Sequence, residues 1–467
     1  MNCLVINGGV VGLLTALMLY KAYGGAIKLK LIDACAEANP GIIRLGSSAL
    51  NFIVRDLGIN LAELMTGQSP GVFYLGLELK SGNEHDAAVI SHQPTRALVG
   101  AMPVDYAISR LRRVGGSEKL EHYSLAAQLI SANAMALPNK KGECPLGDDE
   151  IGISISLHHL RNLLVARLVQ AGIILSNTHV LSCEPADQSM VVRFADSSLV
   201  AFDWVINTTP NQKVFSQVPW QQVVQWKSID TPPLPSAQVL FESRGWHIRE
   251  SLAQNVRLES RNIGWRELGG VQSEDDVPEP VRVNKTSAWF GAVWQNRMLY
   301  LTDFDYWGAE FLLDPLQPAV RIIRLINELT PVQGSVDLLA RYFNERSSEI
   351  SCACRAFVVA HLMQSSVAGV ESIICEADKI EFKRRRELYL ATGEASQPSA
   401  TLIAEGVWAA FWHAWSVYPR TVSSLLRPVE LAEVVGQLRD IKANIAEIIP
   451  RLPRHQYYIS LINGGEA

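Results

Sequence analysis

The chain has 467 residues, of which 48% are hydrophobic and 19% charged, and a formal net charge of -5. That composition is ordinary for a globular protein and long enough for a large core and two closely packed subdomains. No block is densely basic, which argues against a nucleic-acid partner, because phosphate binding needs a concentrated positive face. The one basic run, KRRRE from Lys383 to Glu387, reads as a solvated helix face. Seven cysteines (Cys3, Cys35, Cys144, Cys183, Cys352, Cys354 and Cys375) show no zinc-ligand spacing, so no metal site is expected. Their odd, scattered placement suits a reducing cytoplasm. Met1 runs straight into an apolar strand with no charged leader, and no apolar run is long enough to span a bilayer, so no membrane association is expected.

In chain order, residues 2–6 (NCLVI) read as a buried parallel strand, 12–23 as a helix and 28–34 (KLKLIDA) as a second strand. Gly58, Gly67 and Gly71 punctuate a region of short elements, and FYLGLEL, Phe73 to Leu79, reads as one strand. Ser156 to Ile173 reads as an amphipathic helix ended by Gly172. A strand, a hairpin at Asp196-Ser197-Ser198 and an apolar strand ending at Asn207-Thr208-Thr209-Pro210 follow. Residues 220–305 are rich in Trp and β-branched types and read as a mostly antiparallel sheet, with a loop around Asp276 to Val283; helical patterns dominate from about Leu316.

The turn after the first strand, VINGGVVG, is one letter short of Gly-x-Gly-x-x-Gly: its three positions hold Asn7, Gly9 and Gly12. In that fingerprint the first Gly makes the turn, the second admits the pyrophosphate and the third lets helix pack on strand. The phosphate then rests on the helix N-terminus. Asn is the non-glycine residue most at ease at positive φ, so Asn7 is expected to make the turn, with Gly8 adding slack. Asp33, at the end of the second strand, is placed to take the adenosine ribose. These features point to a bound dinucleotide. The later phrase Asp196-Ser197 … Asp203-Trp204-Val205-Ile206-Asn207-Thr208-Thr209-Pro210 resembles the "Asp-Gly … Asp-x-Val-Ile-x-Ala-Thr-Gly" of flavoprotein monooxygenases, which favours FAD and assigns Thr208 and Thr209 to its site.

Three further stretches resemble the flavin-dependent tryptophan halogenase family. Gly46 and Ser47 fall at its Gly-Glu position, followed by a matching Leu57-Gly58-Ile59. RLPRHQYYI supplies Pro453, His455, Tyr458 and Ile459 of its C-terminal motif, and VAGVESII places Glu371 and Ser372 at its Glu-Ser pair, between flavin and substrate. The resemblance implies an α/β fold: an FAD-binding doubly wound (Rossmann-like) domain interleaved with a mostly antiparallel substrate-binding sheet and a helical C-terminal region. The expected spans are 1–215, with an insertion at about 70–110, then 216–315 and 316–467.

The departures bear on the chemistry. The family's hypohalite-directing lysine lies in a strand whose counterpart here places Glu78 at that position, with Lys80 two residues on and on the same face. A carboxylate cannot donate the ammonium hydrogen bond. The family's Trp-x-Trp-x-Ile-Pro signature is reduced to Trp246, followed by His247, Ile248, Arg249, Glu250 and Ser251. The expected activity is therefore FAD-dependent monooxygenation of an aromatic, indole-like ring, with Trp246, His247 and Ser372 lining the substrate. Glu371 is read either as a base toward an indole N–H or phenol O–H, or as a structural acid capping a helix. Glu78 is either a catalytic acid or base or an exposed strand residue, and His247 either a site residue or a packing one.

Two other activities stay open: a halogenase fed reduced FAD by a separate reductase, and a flavoprotein kept as an assembly factor without turnover. No internal NAD(P)H fingerprint is evident, so an external flavin reductant is expected. The substrate ring is either free or a tryptophan inside a partner protein. The latter follows from a further resemblance, to the halogenase-like flavoproteins that mature tryptophylquinone amino-acid oxidases, and would make an oxidase precursor the partner. Finally, Trp408, Phe411, Trp412 and Trp415 form one helical stripe, which is either core or a surface for a partner or substrate.

Overall fold

The computed structural model describes residues 1–34, 41–67, 70–81, 87–92, 98–100, 102–136, 145–146, 151–209, 217–228, 234–242, 245–252, 256–264, 285–303, 306, 308–329, 336–365, 367, 370–372, 374–395, 402–421 and 430–462. The loop expected around Asp276 to Val283 lies outside the described residues.

The apolar run at the N-terminus forms β1 (Asn2–Asn7), which feeds α1 (Val10–Tyr23), and β2 (Lys28–Asp33) returns beside it. β3 (Ile42–Leu45) leads into the short α2 (Ser47–Asn51), whose chain continues through a π-turn over Phe52–Asp56. Gly58 then sits at φ 62°. After α3 (Leu61–Met65), the expected single strand Phe73–Leu79 is instead two. β4 (Val72–Tyr74) and β5 (Gly76–Ser81) part at Leu75, whose N–H leaves the ladder to donate to the Pro235 carbonyl at 2.7 Å. The Leu-Gly step allows this, because a side chain at position 76 would lie 3.0 Å from the Ser91 Cα.

β6 (Ala87–Ser91) pairs with β5, and the hairpin β7 (Leu98–Val99) and β8 (Met102–Pro103) precedes α4 (Val104–Arg113) and α5 (Leu125–Ala132). β9 (Gly152–Ser156) runs into α6 (Leu157–Gln170), which ends before Gly172 at φ 78°. β10 (Leu175–Ser176) is followed by the meander β11 (Val180–Ala186), β12 (Ser189–Phe194) and β13 (Leu199–Phe202), with Ser197 at φ 67° in its hairpin.

β14 (Trp204–Asn207) completes the centre of a parallel sheet ordered β10-β2-β1-β14-β21-β20, in which β20 (Ala292–Gln295) pairs antiparallel with β21 (Met298–Leu301). The second large sheet runs β19-β15-β18-β17-β16-β5-β6. Its strands are β15 (Gln217–Ser228), β16 (Ser236–Glu242), β17 (Gly245–Leu252), β18 (Val256–Gly264) and β19 (Lys285–Ala288), joined by β5 and β6 from the first part of the chain. Pairing is antiparallel except between β5 and β16. A small sheet, β3-β9-β4, sits beside it, with Glu250 of β17 bonded across to Arg44 of β3.

The C-terminal part is helical: α7 (Gln317–Leu329), α8 (Val336–Gln364), α9 (Glu376–Thr392), α10 (Glu405–Ala414), α11 (Leu431–Ile448) and α12 (His455–Ile462). The aromatic stripe is core. Trp408, Phe411 and Trp412 are at most 1% exposed, and Trp415 is half-buried against Phe241, so the stripe packs inward. KRRRE lies on α9, with Arg384 and Arg385 both bonded to Glu381; Arg384 faces solvent and Arg385 lies over the Trp408 ring. Among the described residues no helix is long and apolar enough to cross a membrane, and no group of His, Cys, Asp and Glu is arranged to hold a metal.

One core residue carries an unmet polar requirement. His361 of α8 is fully buried, stacked on Phe311 at 5.2 Å and 11°, with Phe357 and Phe411 edge-on. Neither ring nitrogen has a hydrogen-bond partner among the described residues, and burial pushes its pKa from 6.5 down to about 3. His361→Phe is therefore expected to stabilise the fold by about 1–3 kcal/mol at pH 7, the cost of an unsatisfied buried polar group. Below pH 6.5 the unfolded imidazole takes a proton that the folded one refuses until about pH 3. The wild type loses stability across that window, and the variant's advantage should widen by about 1.4 kcal/mol per pH unit. Urea melts from pH 7.5 to 4.5 would show this; parallel stability–pH curves for the two proteins would refute it.

Candidate functional site

The glycine-rich turn is built differently from the expectation. Asn7 is the last residue of β1 and does not adopt positive φ; among the described residues the non-glycine positions that do are Asn133, Ser197, Asn296 and Ser416. Its role is carried by its side chain, which is fully buried. The Asn7 carboxamide oxygen accepts the Gly9 N–H at 3.1 Å, and its NH2 donates to the Asp33 carboxylate at 3.0 Å. Asn7 thus ties the turn to the end of β2. Asn7→Gly removes both bonds and is expected to cost about 1–3 kcal/mol. An unchanged urea midpoint would show that the two bonds contribute nothing.

The glycines are required by close approach rather than by φ. A Cβ at Gly8 would overlap the Thr208 carbonyl oxygen and lie 2.6 Å from the Thr209 Cα. A Cβ at Gly12 would lie 2.6 Å from the Thr208 hydroxyl. That hydroxyl accepts the Gly8 N–H at 2.9 Å, which fastens the end of β14 to the turn. Thr209 bonds back to Asn207. Thr208 is therefore brought against Gly8 and Gly12, and Thr209 against Gly8. Asp33 also meets Arg161 of α6 in an ion pair.

Asp303, which carried no motif legible in the sequence, closes the cradle. Its carboxylate accepts the Val11 N–H at 3.0 Å at the N-terminus of α1, and a Cβ at Gly9 would coincide with it. An anion on that helix end is favoured by the unpaired N–H groups and the dipole.

Gly46 and Ser47 open α2, whose Ala49 N–H donates to Asp314 at 3.0 Å. A side chain at Gly46 would meet Asp314 and His92. Beyond them lies a buried polar cluster whose members share no motif. Arg44 of β3, 2% exposed, pairs with Glu250 of β17 at 3.1 Å and donates to the Glu310 carbonyl at 2.8 Å. The Trp246 indole N–H donates to the Glu310 carboxylate at 2.6 Å. The Arg44 guanidinium lies 5.7 Å from the centre of the Tyr74 ring, and His92 meets that ring edge-on at 5.3 Å.

Burial raises the pKa of Glu250 and of Glu310; Arg44 opposes the shift in both. Burial lowers that of Arg44, but Tyr74, Glu250 and Glu310 raise it by more. Burial also lifts Asp314 to about 6 and, with Arg44, depresses His92 to about 4.

The other expected site residues separate. Trp246 shares the inward face of its sheet with Phe241, Ile248 and Glu250. Glu78 and His247 point to the opposite face, as the registers Gln238↔Glu78 and Leu240↔His247 dictate. Glu78 is bonded there to Ser236 and Gln238. Trp246 is thus not joined by Glu78 or His247; the acids beside it are Glu250 and Glu310. Glu371 and Ser372 are exposed, in a short turn at Val370–Ser372.

No family model and no curated protein matches this sequence. Solved structures do match its fold. Xcc4156, a flavin-dependent halogenase from Xanthomonas campestris, superimposes with a TM-score of 0.82 at 16% identity, covering 100% of this chain and 99% of that one. BrvH, a flavin-dependent halogenase from Brevundimonas sp. BAL3, gives 0.80 at 16% identity over 99% of both chains. Tar14, a tryptophan C-6 flavin-dependent halogenase from taromycin biosynthesis, gives 0.80 at 13% identity over 99% of both. Over its whole length, this chain has the fold of the flavin-dependent halogenases.

Proposed function

We propose that this protein binds FAD and uses it to oxygenate an aromatic ring of the indole type. The residues fit the cofactor. The Gly8–Gly12 turn would give backbone access, and the Val11 N–H at the start of α1, now held by the Asp303 carboxylate, would take a phosphate once that side chain swings aside. Asp33 would hold the adenosine ribose, and Gly46 and Ser47 border the ring-binding end. Bound and reduced by a separate reductase, the flavin would supply activation of dioxygen. The chain's own part is to hold the cofactor, exclude water and set the charge beside the substrate.

The observation that carries oxygenation over halogenation is the Trp246 face. The Arg44 guanidinium is already taken by the Glu250 carboxylate and the Glu310 backbone carbonyl, while the Glu310 carboxylate accepts the Trp246 indole N–H. A halide or hypohalite beside Trp246 would find no free cation there, because Arg44 is already paired with Glu250. The halogenase reading is favoured by the fold, since the matched structures named above are halogenases. Intact-mass analysis decides between them. Free tryptophan, other indoles and phenols, and a tryptophan-bearing oxidase precursor are incubated with FAD, a flavin reductase, NADH and oxygen, with and without bromide. A gain of one oxygen in mass, indifferent to bromide, is expected; a bromine mass gain overturns the reading. The precursor arm tests whether the ring is protein-bound.

A further inference from the structure

A cavity of about 300 Å³ lies on the far side of β6, between that edge strand, the Leu120 turn and the Ala410–Ala414 face of α10. Its volume is at the lower end of small-molecule sites, about 300–1,000 Å³. Six side chains on its wall are polar in ways that matter: Ser91, Arg112, Lys119, Glu121, Ser124 and His413.

Most of this polarity is internally matched. Ser91 and Ser124 share a hydrogen bond at 3.3 Å. Glu121 accepts the Val89 N–H at 3.2 Å and lies 3.7 Å from Lys119, so those two charges answer each other. Two groups are not matched. Arg112 bonds the neutral carbonyls of Glu118 and Ser117 and lies 4.1 Å over the Tyr418 ring, and no carboxylate among the described residues pairs with it. His413, 8% exposed, has neither ring nitrogen hydrogen-bonded among the described residues and meets the same Tyr418 ring at 5.1 Å. Burial, helped by Arg112, pushes its pKa to about 3, so it presents one donor and one acceptor without adding charge.

We propose that this cavity binds a small molecule bearing one carboxylate, held by the Arg112 guanidinium and the His413 N–H. One unmatched positive charge calls for a monoanion, and the planar guanidinium fork fits a carboxylate. Ala410, Ala414 and Leu120 supply apolar wall for the rest of the ligand. The site does not depend on flavin. It abuts the Arg44 cluster only through adjacent residues of one strand end, Ser91 lining the cavity and His92 facing Tyr74.

Isothermal titration of the full chain with benzoate, benzamide and inorganic phosphate tests it. Benzoate should bind at least about tenfold more tightly than benzamide, the margin of a charge-assisted pair over a neutral one, and more tightly than phosphate. Arg112→Gln should cost about tenfold. Ala414→Leu, which narrows the cavity and leaves both polar groups in place, should weaken binding. His413→Phe, which keeps the packing, should weaken it severalfold. Equal binding of benzoate and benzamide, tighter binding of phosphate, no benzoate heat at all, or benzoate affinity unchanged in Ala414→Leu would each overturn the proposal.

Discussion

Gly8→Ala should be the most damaging single-atom change in the nucleotide turn, with a loss of about 3 kcal/mol, the top of the usual range for overpacking. The new methyl would overlap the Thr208 carbonyl and crowd the Thr209 Cα, and both are backbone atoms at the end of β14. They cannot yield without separating β1 from β14, which pair from Cys3↔Trp204 to Ile6↔Asn207 at the centre of the parallel sheet. Gly9→Ala should be milder for the fold. Its methyl meets the Asp303 carboxylate, the end of a side chain that can swing away. Both variants should lose FAD affinity if the turn is the flavin cradle. Urea melts with FAD fluorescence titration separate the two effects. A Gly8→Ala protein as stable as wild type would show that β14 does not clamp the turn.

Arg44→Met should cost about 3–5 kcal/mol, because removing one partner of a buried charge cluster leaves the others uncompensated. Glu250 and Glu310 both already carry raised pKa values, and without Arg44 each must hold a proton or stay charged in a dry site. A carboxyl whose folded pKa lies above its unfolded value favours folding at low pH and loses that contribution as pH rises through the folded value. The defect of Arg44→Met should thus be larger at pH 8 than at pH 5. Adding Glu250→Gln should restore part of the loss, since it removes one of the stranded charges. A loss below 1 kcal/mol, or one that Glu250→Gln deepens at every pH, would mean that the three groups do not share charge. Glu250→Gln also bears on function: if the pairing of Arg44 with Glu250 is what denies a halide its cation, Glu250→Gln alone should admit some bromide dependence.

The N-terminal βαβ unit was legible because everything in it is local. An apolar strand, a glycine-rich turn and an acid at the end of the next strand are fixed by spacing along a short stretch. Asn7 is the exception within that stretch. The residue type pointed to positive φ, whereas the chain stays extended and the carboxamide does the tying, to Gly9 and Asp33. Propensity ranks backbone conformations; it does not reveal which side chain will find two partners. FYLGLEL was legible as extended chain but not as two strands in two sheets, because the break at Leu75 depends on a carbonyl at Pro235.

Strand alternation told which residues of one strand share a face, and so placed Lys80 with Glu78 correctly. It could not say whether that face is the one bearing Trp246. That depended on the registers of β5 with β16 and β16 with β17, and these put Glu78 and Trp246 on opposite sides. The charged cluster was beyond reach for a similar reason. Arg44, Glu250 and Glu310 come from a strand of the small sheet, a strand of the large one and a turn before the helical region. Their meeting is set by how those layers pack. Sequence alone determined a dinucleotide-type turn, an α/β chain with helices at its end, and an aromatic helical stripe. Tertiary structure decided which acids stand beside Trp246, because proximity between distant segments is fixed by register and layer packing, and neither leaves a periodic mark on the chain.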